Sequence, residues 1–280
     1  MLTFDKSFRI IWHPKDEELQ DYCDWVKNSM LGILWNSEQH VWTVVLCAHN
    51  EELYLPWTLA SIAWIATREK VRILVIDNNS SDRTSMIAKE CGVEIVHESK
   101  KWLSYARQAG LENASWELVF STDADVRVPP TWIDSSIEYF REDHELVGLS
   151  GWIIQPLHPL HRALRQVPKA VRSLARLNTS YFRQNFSGGN TIYKRDIALK
   201  AWWYPQGFDL GEDFIIWERL RSLWKTLVIN DDPRIDIEVS PRRVDSSWKV
   251  LQLYIWWFFS SHWLKRSQAQ KSPTTFKDIR

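Results

Sequence analysis

The 280-residue sequence has no net formal charge, few cysteines and no long apolar run. Because 35 basic side chains balance 35 acidic ones, the chain has no overall charge that would attract nucleic acid. Its three cysteines, Cys23, Cys47 and Cys91, form no CxxC pair and no disulfide framework. This cysteine usage favours a reducing compartment.

We expect neither a signal peptide nor a membrane-spanning helix from this sequence. Residues 1–16 mix charged and apolar side chains and have no apolar core of a signal peptide. No segment reaches the roughly 18 consecutive apolar residues of a membrane-spanning helix. We therefore expect a cytoplasmic protein. Tryptophan, in contrast, is abundant at 18 residues, and it suits deep cores, sugar-binding platforms and membrane interfaces alike.

The first half of the chain alternates between strand and helix patterns. Apolar, β-branched runs predict buried strands over residues 41–48, 71–76, 93–97 and 116–121, with helices over 52–65, 81–89 and 103–113. This alternation predicts βαβ units and a mostly parallel central sheet flanked by helices. Outside this region the sequence predicts helices over 15–30 and 131–142 and strands over 146–154 and 191–193.

Polar clusters follow the predicted strands at their carboxyl ends. They are Ala48-His49-Asn50-Glu51, the run from Asp77 to Asp82, and Asp123-Ala124-Asp125. Ser81 or Asp82 is expected to cap the helix that follows. Ligands of such sheets bind beyond the carboxyl ends of the strands. We therefore expect the three clusters to share one ligand site.

Asp123 and Asp125 have the spacing of a cation site at the end of a buried strand. Mg²⁺ takes one or two protein carboxylates and completes its shell with water and substrate phosphates. A solvated turn is the alternative, since turns are rich in aspartate. The position after the fourth predicted strand favours the cation site.

Two further clusters each allow two interpretations. Gly211-Glu212-Asp213 precedes an apolar face at helical spacing, so its acids either complement a helix dipole or supply a general base. Gly188-Gly189-Asn190 either brings the backbone close to a ligand or forms a tight turn into the next strand.

Two segments carry possible membrane contacts. Residues 160–176 predict a basic amphipathic helix, which is either a membrane-surface or anionic-ligand element or a solvated surface helix. Residues 251–264 are the most apolar stretch, but a helix of about 21 Å is too short for a hydrocarbon core of about 30 Å. This segment either enters one leaflet or packs on the domain.

In order and spacing, these clusters resemble the family 2 glycosyltransferases, which have the nucleotide-sugar-binding GT-A fold. The resemblance covers about residues 41–245. The matching segments are Val44-Val45-Leu46-Cys47-Ala48-His49-Asn50-Glu51-Glu52, Val75-Ile76-Asp77-Asn78-Asn79-Ser80-Ser81-Asp82, Ala106-Arg107-Gln108-Ala109-Gly110, Asp123-Ala124-Asp125, Gly188-Gly189-Asn190, Gly211-Glu212-Asp213 with Arg219-Leu220, and Ser240-Pro241-Arg242-Arg243.

The resemblance implies an inverting transfer of sugar from a nucleotide-diphosphate donor to an acceptor hydroxyl. Asp213 would be the catalytic base, with Glu212 beside it at the acceptor. Mg²⁺ or Mn²⁺ would be bound at Asp123 and Asp125, with Asp125 favoured as the ligand. Gly189 and Asn190 would border the donor sugar and the acceptor. The nucleotide pocket would be lined by Cys47, Ala48, Asn50, Glu51, Asp77, Asn78, Arg107 and Asp123.

The resemblance also predicts domain boundaries, and two alternative functions remain to be compared with it. Residues 1–40 are expected to be a helical extension, 41–245 the GT-A domain and 246–280 a Trp-rich tail. A lipid-linked or saccharide acceptor of the cell envelope, reached by peripheral membrane contact, fits this organisation. Cys47, Asn78 and Gln108 depart from the commonest family residues, and the first two leave the nucleotide base open. Rival functions are nucleotidyl transfer and a non-catalytic module that binds nucleotide sugar or lipid.

Overall fold

The computed structural model describes residues 16–33, 41–115, 117–154, 188–201, 212–228 and 232–240. Its first part contains the predicted alternation of helices and strands. In chain order, these elements are α1 (Asp16–Met30), β1 (Val41–Ala48), α2 (Leu55–Ala63), β2 (Lys70–Asp77), α3 (Thr84–Glu90), β3 (Glu94–His97), α4 (Leu103–Asn113) and β4 (Leu118–Asp123).

The second part is more irregular. Its elements are β5 (Val126–Arg127), α5 (Trp132–Glu142), β6 (Leu146–Ser150), β7 (Ile153–Ile154), β8 (Asn190–Lys194), α6 (Arg195–Ala201), α7 (Glu212–Leu223), β9 (Lys225–Val228) and β10 (Ile237–Val239). Neither the basic segment 160–176 nor the apolar segment 251–264 lies within the described residues.

The described strands form two sheets. The larger has the order β3-β2-β1-β4-β8-β6-β9, and the smaller has the order β5-β10-β7. In the larger sheet β3, β2, β1 and β4 are parallel neighbours, whereas β8 is antiparallel to both β4 and β6. The mostly parallel central sheet predicted from the sequence is thereby confirmed.

Helices cover both faces of the larger sheet. Alternate residues of β1 belong to different apolar clusters, because successive side chains of a strand point to opposite faces. Val44 and Leu46 pack with residues of α1, α2, α3 and α5. Val45 and Cys47 pack with residues of α4, α6 and α7. Both faces of β1 are therefore buried, as its continuous apolar run predicts.

Helix α1 contributes to the same core as the strands, so it does not stand apart from the sheet. Its Cys23 and Val26 are fully buried. The Sγ atoms of Cys23 and Cys91 lie 2.7 Å apart, although 68 residues separate them. The hydrogen bond to Cys23, together with burial, raises the pKa of the Cys91 thiol, so Cys91 stays protonated.

One local prediction is wrong. The strand predicted over 146–154 is divided into β6 and β7, which belong to different sheets. The division falls at Gly151, where a Cβ atom would lie 2.4 Å from Asn190 Nδ2 and 2.7 Å from Ile235 O. The predicted cap of α3 is confirmed at Asp82, whose Oδ1 accepts the backbone N–H of Thr84, the first residue of the helix, at 2.9 Å.

Within the described ranges, no helix has both the length and the apolar character needed to cross a bilayer.

Candidate active site

The strand register brings the predicted polar clusters to one edge of the large sheet. Ala48 is paired with Asp77, and Asp77 with His97. On the other side of β1, Cys47 is paired with Asp123. These residues come from four parallel strands and end at nearly the same level. The shared ligand edge expected from the sequence therefore has its structural basis in the register.

Asp77 is held in a network of hydrogen bonds at this edge. Its side chain is 6% exposed, and its Oδ2 lies 3.1 Å from His97 Nδ1. Ser80 donates its backbone N–H to Oδ1 at 3.0 Å, and the Ser85 hydroxyl donates to Oδ2. Burial raises the pKa of the Asp77 carboxyl, but the hydrogen bonds from Ser80, Ser85 and His97 outweigh it and hold the pKa below its usual range. Asp77 is therefore a fixed, ionised carboxylate.

Asn78 connects the ends of β1, β2 and β3. Its backbone N–H donates to Ala48 O at 2.8 Å, and its carbonyl oxygen lies 2.7 Å from His49 Nδ1. Its side-chain Nδ2 donates to Lys100 O at 2.7 Å and to Glu98 O at 3.3 Å. The amide at this position thus orders the loop after β3.

The loops after β1 and β2 are joined through Asn50. This residue has a left-handed backbone with φ of 55°, which asparagine tolerates better than most residues. Its Oδ1 accepts from Ser81 N at 2.8 Å, and its own N–H donates to Ser80 Oγ at 3.0 Å. The next residue, Glu51, is 6% exposed and donates its backbone N–H to Thr84 Oγ1 at 2.8 Å. The two loops form one ordered rim.

Arg107 of α4 reaches the acidic turn that follows β4. The guanidinium is 3% exposed and pairs with Asp123, Nη2 to Oδ1, at 3.0 Å. Its Nη1 also donates to Gly188 O at 2.6 Å. Arg107, predicted to contact nucleotide, therefore lies directly against Asp123 and the glycine turn. A buried guanidinium in this position orients both groups.

Asp125 is more deeply buried than Asp123. Its exposure is 2%, whereas the Asp123 side chain is 18% exposed. Ser240 donates to Asp125 twice, from Oγ to Oδ2 at 2.8 Å and from its backbone N–H to the Asp125 carbonyl at 2.8 Å. The hydroxyl of Thr58 lies 2.8 Å from Ala124 O and 2.9 Å from Val126 O. The acidic turn is thus held from two sides.

The acidic turn fits a hard divalent cation. A Cβ at Gly189 would lie 2.9 Å from Asp123 Oδ2, so the glycine keeps space beside this carboxylate. Among the residues that the structure describes, no group of three or more His, Cys, Asp or Glu side chains forms a metal cluster. Two carboxylates nevertheless suffice for Mg²⁺, which completes its shell with water and phosphate oxygens.

Asn190 contributes structure to the site. Its side chain is fully buried, and Oδ1 accepts from Trp132 Nε1 at 3.1 Å. Its Nδ2 donates to Ile235 O at 2.9 Å and to Trp152 O at 3.2 Å. This side chain, predicted to border the sugar, joins α5 to the strands of the small sheet. Gly189, in contrast, lies beside the Asp123 carboxylate.

The second acidic cluster is described only through its backbone. Helix α7 begins at Glu212, which confirms the predicted helix start. Gly211 and the side chains of Glu212 and Asp213 lie outside the described part of the structure.

Four residues of this site were missed by sequence reasoning: Thr58, Ser85, His97 and Ser240. His97 ends a predicted strand, so its position gave a usable signal. Ser240 lies in the segment Ser240-Pro241-Arg242-Arg243, which was recognised only for its basic residues. Thr58 and Ser85 lie within helices α2 and α3 and carry no signal in the sequence.

Comparisons with known proteins identify the family and the fold of the chain. The model of the family "Glycosyl transferase family 2" matches residues 43–202. An uncharacterised glycosyltransferase of Mycobacterium tuberculosis is 40% identical over 83 residues, which cover 30% of this chain and 36% of the relative. The undecaprenyl-phosphate 4-deoxy-4-formamido-L-arabinose transferase of Pectobacterium carotovorum is 28% identical over 117 residues, covering 38% of this chain and 35% of the relative. The chain thus spans about a third of the length of these relatives.

A solved structure supports the fold. The mannosyltransferase PcManGT from Pyrobaculum calidifontis, in complex with GDP-Man and Mn²⁺, is similar to this chain with a TM-score of 0.60. The likeness covers 93% of this chain and 75% of that chain at 17% sequence identity. The family match extends over more than half of the sequence, and the sheet order and helical layers agree with it. The chain belongs to glycosyl transferase family 2 and has the GT-A fold.

Proposed function

We propose that the protein transfers a sugar from a nucleoside-diphosphate donor to an acceptor hydroxyl with inversion at the anomeric carbon. One observation carries the proposal: the strand register gathers Asp77 and Asp123 at the same edge of the sheet. Asp125 follows in the same turn as Asp123, so the carboxylates proposed for the base or ribose and for the cation lie at one edge of the sheet. Family membership supports the same reaction class.

The donor nucleotide occupies the rim formed by the loops after β1 and β2. In this proposal Cys47, Ala48, Asn50 and Glu51 line the pocket, and Asp77 with Asn78 faces the base or ribose. Asp77 suits this task because its carboxylate is already fixed by three neighbours. Arg107 acts on the nucleotide through Asp123, which it orients towards the ribose.

A divalent cation, Mg²⁺ or Mn²⁺, would be held by Asp125, with Asp123 beside it. When bound, such an ion neutralises charge that develops on the departing diphosphate. The chain's own contribution is to hold the two carboxylates in a fixed orientation, through Arg107 at Asp123 and Ser240 at Asp125. Gly189 keeps the adjoining space free for the donor.

Asp213 is the proposed general base. It takes the proton from the acceptor hydroxyl as that oxygen attacks the anomeric carbon opposite the diphosphate. Its position in the first turn of α7 supports the role, since a helix N-terminus favours an ionised carboxylate. Glu212 would contact the acceptor, and Gly189 and the backbone of Asn190 would border the sugar.

The acceptor is proposed to be lipid-linked or a saccharide, in biosynthesis of cell-envelope polysaccharide. The similar protein of Pectobacterium is an undecaprenyl-phosphate 4-deoxy-4-formamido-L-arabinose transferase, which favours the lipid-linked class. Residues 160–176 and 251–264 would then provide peripheral contact with the cytoplasmic face of the membrane. Deleting residues 251–280 should shift the protein from the membrane pellet to the supernatant, and an unchanged partition would reject the contact by the tail.

A thermal-shift screen tests the donor assignment. Nucleoside diphosphates and their sugar conjugates are added with and without Mn²⁺ or Mg²⁺, since a ligand that binds only the folded state raises its stability. We expect one nucleotide class to stabilise the protein more strongly with metal. Release of pyrophosphate during turnover would instead favour nucleotidyl transfer, and metal-independent donor binding without any transfer would favour a non-catalytic module.

A further inference from the structure

Ser240 contacts Asp125 at two points. Its backbone N–H donates to the Asp125 carbonyl, and its hydroxyl donates to Asp125 Oδ2, each at 2.8 Å. Ser240 is 1% exposed and directly follows β10, and 115 residues separate it from Asp125. One contact therefore fixes the main chain of the acidic turn, and the other fixes the orientation of its carboxylate.

We propose that Ser240 is a positioning residue that sets the Asp125 carboxylate for a divalent cation. The inference rests on the proposed function, because it assumes that Asp125 is the cation ligand. Groups that hydrogen-bond a metal-binding carboxylate orient it and so raise metal affinity. Ser240 does not touch the sugar or the diphosphate in this proposal and acts only through Asp125.

The small sheet places Ser240 at this carboxylate. Val239 of β10 is paired with Val126 of β5, the residue that follows Asp125. Ser240 continues from Val239, so antiparallel pairing brings it opposite Asp125. The second strand neighbour of β10 is β7, next to Gly151 and Trp152, whose packing depends on Asn190. The pairing of strands in the small sheet therefore positions the Ser240 hydroxyl next to the Asp125 carboxylate.

The turn keeps its main-chain geometry without the Ser240 hydroxyl. Thr58 of α2 is fully buried, and its hydroxyl contacts Ala124 O and Val126 O and accepts from Val126 N at 3.1 Å. The backbone hydrogen bond from Ser240 to Asp125 also survives any change of the Ser240 side chain. Removing the hydroxyl thus changes the orientation of one carboxylate while the turn remains held.

The chemistry of the donor matters as well. A hydroxyl orients a carboxylate through a neutral hydrogen bond and does not cancel its charge. At Asp123 the corresponding donor is the Arg107 guanidinium, which does offset the charge. The two carboxylates are therefore prepared differently. The neutral Ser240 hydroxyl orients Asp125 and leaves its full negative charge to bind a cation. The Arg107 guanidinium orients Asp123 and offsets its charge, which suits a contact with a neutral hydroxyl such as that of ribose.

The test is a Mn²⁺ titration followed by electron paramagnetic resonance, with UDP present and, separately, with GDP present. Four purified full-length proteins are compared: wild type, Ser240→Ala, Ser240→Thr and Ser136→Ala. Ser136 provides a matched control, because it is a fully buried serine of α5 whose hydroxyl has no hydrogen-bond partner among the described residues. We expect Ser240→Ala to weaken Mn²⁺ binding by about 10–100-fold. Ser240→Thr, which keeps the hydroxyl, and Ser136→Ala should retain most of the affinity.

Further readouts separate positioning from packing. Nucleotide binding measured in EDTA should be the same for Ser240→Ala as for wild type. If Ser240→Ala does not fold, Ser240→Cys replaces it, since a thiol is a similar size but a weak donor. Equal losses of Mn²⁺ affinity in the Ala and Thr variants would assign the effect to packing and overturn the inference.

The inference and the proposed function fail differently. Wild-type protein that binds Mn²⁺, together with a Ser240→Ala variant of unchanged affinity, would overturn the role of Ser240 alone. Wild-type protein that binds no Mn²⁺ with either nucleotide would overturn the cation site itself, and the role of Ser240 with it.

Discussion

The region up to Asp123 and the region after it build the site in opposite ways. In the first, β1 to β4 follow one another through short helical connections, and each strand ends in a polar group at the ligand edge. In the second, antiparallel β8, the small sheet and buried side chains such as Asn190 and Ser240 come together over long separations in sequence. The first region carries the groups proposed for the nucleotide, whereas the second carries Asp125 and Asp213 together with buried side chains that position the acidic turn.

The largest expected effect belongs to the second region. Asp213→Asn should lower turnover by about 10²–10⁴-fold, because it removes the proposed general base. Donor binding should change little, since the variant keeps the size of the side chain. Turnover is measured with radiolabelled donor, and Glu212→Gln serves as the neighbouring control with a smaller loss. Full turnover by Asp213→Asn would show that this region does not supply the base.

Arg107→Met breaks the link between the two regions. The variant leaves the Asp123 carboxylate without its guanidinium and removes the donor to Gly188 O. Loss of one partner of a buried pair costs about 3 kcal/mol of unfolding free energy, although partial exposure of Asp123 reduces this figure. Urea denaturation measures the loss, and nucleotide affinity should fall in parallel.

Arg107→Lys provides the matched comparison for that link. Lysine keeps the charge but not the planar fork that contacts Asp123 and Gly188 together. We expect an intermediate loss of stability. A Met variant as stable as wild type would mean that the two regions are not coupled through Arg107.

Substitution of one glycine in each region compares how tightly the two regions are packed. A Cβ at Gly110 of α4 would lie 2.4 Å from Val45 Cγ1, and one at Gly151 would lie 2.4 Å from Asn190 Nδ2. Because both sites are closely packed, each Gly→Ala change should cost about 1–3 kcal/mol. Gly32→Ala is the control, since no atom lies within 4 Å of its added Cβ. Thermal denaturation is the measurement, and Gly151→Ala behaving like Gly32→Ala would contradict the tight packing of the second region.

The smallest effect is a pH dependence from the first region. The pKa of Asp77 is lowered in the folded protein, so its ionised form stabilises the fold above the unfolded-state pKa of about 4. This contribution is lost as the pH falls through the lowered folded-state pKa. Asp77→Asn should therefore flatten the acid limb of a stability–pH curve. An Asp77→Asn protein that loses stability in acid as steeply as wild type would contradict the network around this carboxylate.

The two regions also differ in how far the sequence predicts them. The observed boundaries of β1 (Val41–Ala48) and α4 (Leu103–Asn113) agree with the predicted ones. The pattern of apolar residues and the residues that flank each element determine where both begin and end. The ligand edge followed from the rule for parallel sheets. Local patterns therefore predicted most of the elements of the first region and the sheet edge at which its polar clusters lie.

Long-range contacts explain what the sequence could not predict. The division of β6 from β7 depends on Gly151 meeting Asn190, and the contact of Cys23 with Cys91 depends on how α1 packs. Ser240 reaches Asp125 only through the pairing of β10 with β5. None of these contacts has a local periodicity, so only the folded chain reveals them.

The most direct measurement is a crystal structure with Mn²⁺ and a nucleoside diphosphate, with the ion located by its anomalous scattering. The account predicts Mn²⁺ bound directly to an Asp125 carboxylate oxygen, the diphosphate on the same ion, and Asp213 facing the opposite side of the sugar position. Mn²⁺ bound away from residues 123–125, or Asp213 turned out of the nucleotide cleft, would contradict it.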